Sequence, residues 1–165
     1  MASWRSWAGP TARRPRSPGA DPAPGVLLHI VARGKIGRTP EAELVNRYMK
    51  RIAWPTKVTE IADDSRPAPP LADNSVAILL DERGDCLSST ELAGKLEQWR
   101  DGGKREARFS IGGADGHKES DRANADLLLS FGPATWPHLL VRAMLAEQLF
   151  RATSILANHP YHREG

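Results

Sequence analysis

Short apolar runs alternate with helical segments along this chain, and that alternation narrows the folds open to it. Residues 26–32 (VLLHIVA) are apolar, carry β-branched side chains and are closed by Gly34, the pattern of a buried strand. Thr39-Pro40-Glu41 then offers an N-cap hydroxyl, a proline for the first helical position and an acid in the first turn. Leu44, Val45, Tyr48 and Ile52 keep helical spacing until Trp54-Pro55 ends the run. A weaker strand over 57–62 and a Pro-rich loop over 63–75 (DDSRPAPPLADNS) lead into 76–81 (VAILLD), the clearest strand of all. Ser88 and Glu91 have capping-box spacing before a helix faced by Leu92, Leu96 and Trp99 and closed by Gly102-Gly103. A strand over 108–112 runs into a glycine loop. A short helix over 120–125, a last strand over 127–131 (LLLSF) and a long helix over 139–157 follow. The expected fold class is α/β, a mostly parallel sheet with helices on both faces, in which ligands bind at the carboxyl ends of the strands.

Composition limits the alternatives. A single cysteine, Cys86, excludes an intramolecular disulfide framework and a Cys-only zinc site. No apolar run approaches the roughly 18–20 residues of a membrane helix, which points to a soluble protein. Of the net charge of +3, all is accounted for by residues 1–25, where Arg5, Arg13, Arg14 and Arg16 face one acid, Asp21. The rest of the chain is formally neutral, so any affinity for nucleic acid must come from local placement of charge rather than from a general excess. Residues 1–25 hold five prolines and no apolar periodicity. They read as a disordered extension ahead of a folded domain at 26–165, as a remnant of a start codon placed too far upstream, or faintly as a transit peptide.

Three segments carry candidate chemistry. The first, 111–116 (IGGADG), follows a strand and could present backbone N–H groups to an anion, but lacks the Gly-Lys-Ser/Thr of a P-loop and the spacing of a dinucleotide fingerprint. An unliganded tight turn is the plain alternative. The second, 135–138 (TWPH), joins the last strand to the long helix. Pro137 suits the first helical position and puts His138 in the first turn, near the glycine loop. A lone histidine there is as readily a structural hydrogen-bonding group. The third, 158–164 (NHPYHRE), packs two imidazoles, a phenol and a guanidinium into the chain end. His159 and His162 lack further nearby ligands to complete a zinc set, so no metal is expected. Tyr161 and His162 can stack on a base, and Arg163 can grip a phosphate, unless the segment is simply a polar tail.

In this order the three segments resemble the ribosomal RNA large subunit methyltransferase H family of the SPOUT superfamily. The likeness spans about 26–165. It is carried by Gly34-Lys35, Leu80-Asp81 with Gly84, the IGGADG loop, TWPH followed by LVRAMLAEQLFRA, and the terminal NHPYHRE. It implies a C-terminal trefoil knot, an exception to the rule against threaded connections. A homodimer acting in the cytoplasm and a bent S-adenosylmethionine within the knot are implied as well. The reaction implied is methylation of the N3 position of a pseudouridine in large-subunit (23S-type) ribosomal RNA, within an assembled ribosome. Matched residue by residue, the cofactor contacts are Leu80, Gly112 and the run Phe131, Gly132, Pro133, Ala134, Thr135 and Trp136. His138, Tyr161, His162 and Arg163 fall on substrate-side, catalytically implicated positions. The imide must lose its N3 proton before it attacks, and His162 is favoured over His138 as the acceptor. Arg33, Lys35, Arg38, Arg142 and Arg163 are the expected RNA anchors. The 63–75 segment is shorter and richer in proline than the family's helix-bearing region. A non-enzymatic ribosome- or RNA-binding protein that retains the fold is the competing reading, and a nucleotide-dependent oxidoreductase is disfavoured because no acid is placed for a ribose.

Overall fold

The computed structural model describes residues 25–62 and 65–158. In chain order it contains β1 (Leu27–Arg33), α1 (Pro40–Arg51), β2 (Thr56–Ile61), β3 (Ser75–Cys86), α2 (Ser89–Asp101), β4 (Glu106–Ile111), α3 (Glu119–Asn124), β5 (Leu127–Ser130) and α4 (His138–Leu156). The strands form one sheet in the order β2-β1-β4-β3-β5, and every pair is parallel. The expected α/β class is what the chain adopts.

Local signals set the helix ends. Thr39 Oγ1 accepts the Ala42 amide at 3.2 Å, while Pro40 occupies a position whose N–H has no intrahelical partner. At α2 both halves of the capping box form: the Glu91 amide donates to Ser88 Oγ at 3.1 Å and the Ser88 amide to Glu91 Oε2 at 2.7 Å. At α4 the expectation shifts by one residue. Pro137 is the cap, with extended ψ of 135°, and His138 opens the helix.

The core lies on one face of the sheet. Leu28, Ile30 and Ala32 stand in register with Ala107, Phe109 and Ile111, and these with Val76, Ile78 and Leu80. All nine belong to one buried cluster with Val45 and Met49 of α1, Leu92 and Leu96 of α2, and Leu145, Ala146 and Leu149 of α4. Burying each large aliphatic or aromatic side chain contributes about 1.5–3 kcal/mol. Helix α4 packs against both α1 and α2, so it needs apolar residues around much of its circumference.

The helices do not share the two faces equally. Opposite the core, His29, Val31, Glu106 and Arg108 are buried but largely polar. Glu106 Oε1 is bonded to His29 Nδ1 at 2.6 Å and to Arg108 Nε at 3.1 Å. Burial alone would raise the Glu106 carboxyl, yet these two partners hold it below the usual carboxylate range. The Arg108 guanidinium donates to the carbonyls of Pro69 and Pro70, and Arg33 to that of Arg66. The Pro-rich segment is therefore a strap bonded to the strands of this face, where the family pattern suggested a helix.

Strand β3 runs farther than its apolar stretch. It continues through Glu82–Cys86 after a register shift against β5, such that Leu80 and Asp85 both face Leu129. A Cβ on Gly84 would stand 2.5 Å from the Leu128 carbonyl carbon, so only glycine lets the two backbones pass this closely.

Candidate functional site

Because all strands are parallel, their carboxyl ends share one edge of the sheet, where Leu80–Arg83 of β3 meet the segments following β4 and β5. They enclose a cavity of about 420 Å³, within the range of small-molecule sites. Leu80, Gly112, Phe131, Gly132, Ala134, Thr135, Trp136 and His138 all contribute to its wall. Pro133, expected with them, is exposed and outside the wall. Tyr161, His162 and Arg163 lie outside the described residues, as do residues 1–24 of the expected extension.

The wall is built largely of main chain. Gly113 and Gly116 close a tight turn, with the Gly116 amide donating to the Gly113 carbonyl at 3.0 Å. Gly112 lies so close beneath this turn that a Cβ would meet the Gly116 carbonyl carbon at 2.9 Å and its oxygen at 3.0 Å. Buried Ser130 orders the next segment, accepting the Gly132 amide at 3.1 Å. Trp136 is a large, exposed apolar side chain at the rim, and His138 is exposed beside it.

Several wall residues had been given no role at the site. Asp81 accepts the Arg83 amide at 2.9 Å and Arg122 Nε at 2.7 Å; burial would raise its carboxyl, but these bonds keep it below the ordinary value. In the sequence it stood out only as part of the Leu80-Asp81 pair that closes the apolar run of β3. His117 follows the glycine turn; its ring interacts with the main chain of Leu80 and Ser110, while buried Nε2 has no hydrogen-bond partner among the described residues. Burial pushes this imidazole below its usual value although Asp81 pulls the other way, so the ring is neutral near pH 7. Extending the glycine motif by one residue would have found it.

One expected RNA anchor is corrected. Arg142 is 1% exposed, and its guanidinium is committed to Glu60 Oε2 at 3.0 Å and to the carbonyls of Arg33 and Gly34. Glu60 also accepts the Ile36 amide at 2.7 Å. Arg142 thus fixes the loop after β1 rather than reaching for phosphate. Lys35 and Arg38, on that loop, are exposed.

A larger cavity of about 610 Å³ backs onto the same β5 end, with Leu44, Tyr48, Leu92, Leu140 and Met144 in its wall. It is mostly apolar, with Ser88 and Ser89 at the start of α2 and Gly132 as its main polar edge. The smaller cavity suits a polar nucleoside ligand better: it offers main-chain groups, a glycine that permits close approach and an unpaired ring nitrogen.

An open parallel sheet with glycine turns around a cavity at its carboxyl edge defines an α/β protein with a small-molecule site on that edge. Residues 26–162 match the family model described as "Predicted SPOUT methyltransferase". A Rhizorhabdus wittichii protein named ribosomal RNA large subunit methyltransferase H is 64% identical over 140 residues, covering 85% of this chain and all of that one. A Zymomonas mobilis protein of the same name is 55% identical over 140 residues, 84% of this chain and 99% of that one. The solved structure of a probable methylase family protein from Haemophilus influenzae superposes with a TM-score of 0.53 at 12% identity, over 81% of this chain and 69% of that one, a likeness of fold. The chain belongs to the SPOUT methyltransferase family, whose members take their methyl group from S-adenosylmethionine.

Proposed function

We propose that this protein methylates large-subunit ribosomal RNA at the N3 position of a pseudouridine. The observation that carries the reading is the 64% identity to a ribosomal RNA large subunit methyltransferase H along that relative's whole length. The cavity supports it, since the segments matched to cofactor contacts come together there although they are far apart in sequence. When bound, S-adenosylmethionine supplies an electrophilic methyl group on a sulfonium. The chain's own residues do the rest. Gly112 allows close approach of the ligand, and the main chain of 131–136 presents amides and carbonyls to its adenine. His138, at the rim, faces the incoming base. The imide nitrogen is a poor nucleophile until its proton leaves, and a neutral imidazole in reach accepts it; His162 is assigned that role. Tyr161 stacks on the base, and Arg163 pairs with the developing anion or a phosphate.

The same reading includes a trefoil knot, a cytoplasmic homodimer and a substrate presented within the assembled ribosome. The close passage of Gly84 past β5 suits a threaded chain, and the apolar wall formed by Leu44, Tyr48 and Met144 suits contact with a second copy. Mixing His162→Ala subunits with subunits unable to bind donor tests whether the tail serves the partner's site; heterodimers that recover no activity would argue that it does not. Mass spectrometry of ribosomal RNA from cells lacking the protein tests the function itself. One N3-methylated pseudouridine is expected to lose its methyl group and regain it on complementation. An unchanged nucleoside profile would refute the reading, and a chain that also fails to bind donor would favour the non-enzymatic alternative.

A further inference from the structure

We propose that Asp81 is the positioning residue of the donor site, holding three separate walls of the cavity in place through one carboxylate. The inference rests on reading this cavity as the place where S-adenosylmethionine binds. Asp81 lies where β3 leaves its first register against β5, and its side chain is only 3% exposed. One oxygen accepts the Arg83 amide and so fixes the stretch of β3 where its register against β5 shifts. The other accepts Arg122 Nε at 2.7 Å, which draws α3 against the cavity. His117, just after the glycine turn, interacts electrostatically with the same carboxylate and with the main chain of Leu80, midway along β3, and of Ser110, near the end of β4. Asp121 acts on His117 more weakly.

The tether to α3 matters because that helix has little else to hold it. It is six residues long, buries none of them and has no side-chain cap. A helix that short does not persist alone in water, so its position depends on tertiary contacts. Arg122 spends Nε on Asp81 and Nη1 on Glu119 at 3.0 Å, and Glu119 also lies 3.8 Å from Arg83 Nη1. Asparagine at 81 would keep the size but lose the charge, and would leave one acceptor where two donors converge. The Arg83 amide and Arg122 could not then both be held.

The experiment uses the full chain, S-adenosylhomocysteine as probe, and the variants Asp81→Asn, Arg122→Gln and their double. Calorimetry well below each variant's Tm should show each single variant binding about tenfold more weakly, the scale of a lost charge-assisted bond. The double variant should bind no worse than Asp81→Asn, because both changes break one linkage. In turnover, KM for the donor should rise with kcat nearly kept. In the free protein, the His117 titration midpoint, followed by NMR, should fall in Asp81→Asn because a nearby negative charge is gone. Additive losses would show that Asp81 touches the ligand directly, and wild-type affinity or an unmoved His117 midpoint would show that it positions nothing; either result overturns the proposal. Should Asp81→Asn not fold, Arg122→Gln on the unburied α3 carries the test. Wild-type protein that ignores the probe would refute the donor site itself, an outcome distinct from wild-type binding with unaffected variants.

Discussion

Replacing Gly112 with alanine separates the architecture of the donor site from the stability of the fold. Gly112 has an ordinary backbone conformation, so the cost of a side chain there is steric alone. The added Cβ would lie 2.9 Å from the Gly116 carbonyl carbon, where ordinary contact begins at 3.4 Å, so the turn must move out by roughly half an ångström. Residues 114–116 are exposed, and the turn can yield without disturbing the core. Overpacking costs about 1–3 kcal/mol in tightly packed interiors, and a turn free to move places this change near the lower end. For a chain of this length that is a fall in Tm of about 2–4 °C. Binding should suffer more, because the displaced turn is part of the cavity wall. A 1 Å misplacement can cost about a hundredfold in a positioned reaction, so half of that implies about tenfold in donor affinity. Calorimetry with S-adenosylhomocysteine, alongside thermal unfolding, reads both quantities. Unchanged affinity would refute the argument, as would a collapse of Tm in which the folded fraction still binds normally.

Further outcomes follow from other contacts. Arg142→Met leaves Glu60 and two carbonyls without their buried partner and should lower stability by about 3 kcal/mol in urea unfolding, while losing less affinity for RNA than Lys35→Ala. His117 is held neutral by burial, so below its ordinary value of 6.5 the unfolded chain binds a proton that the folded chain resists. Stability from this group should therefore decline as pH falls from 7.5 to 5.5, and His117→Leu should flatten that slope; an unaltered slope contradicts the assignment. The carboxylates of Glu60, Asp81 and Glu106 are held low, so their contributions fade only at more acid pH. Ser88→Ala removes half of the capping box of α2 and should cost about 1 kcal/mol, measured by the same unfolding assay.

Much of the fold was legible because its signals are local. Thr39-Pro40 and Ser88–Glu91 specify helix starts through bonds spanning three residues, and runs such as VAILLD can only be buried. What escaped depends on distant partners. Glu82–Cys86 is polar and reads as a loop; it is a strand because β5 pairs with it after a register shift. Arg142 reads as a surface cation, and only the fold brings Glu60 and the Gly34 carbonyl around it. Strand order, with β4 between β1 and β3, leaves no mark in any single segment. At the site, the glycine turn and the 135–138 segment were visible as motifs, and the 131–136 run followed from the family resemblance. The meeting of Asp81 with Arg122, forty-one residues apart in sequence, was not.

Backbone amide NMR of the full chain during titration with S-adenosylhomocysteine would probe the donor site most directly. Saturable shifts should concentrate at Gly112, Gly132, Thr135 and Trp136 and leave Leu44, Tyr48 and Met144 on the apolar cavity unmoved. Shifts confined to the α1 and α4 residues, or none at any concentration, would contradict a donor site on the carboxyl edge of the sheet.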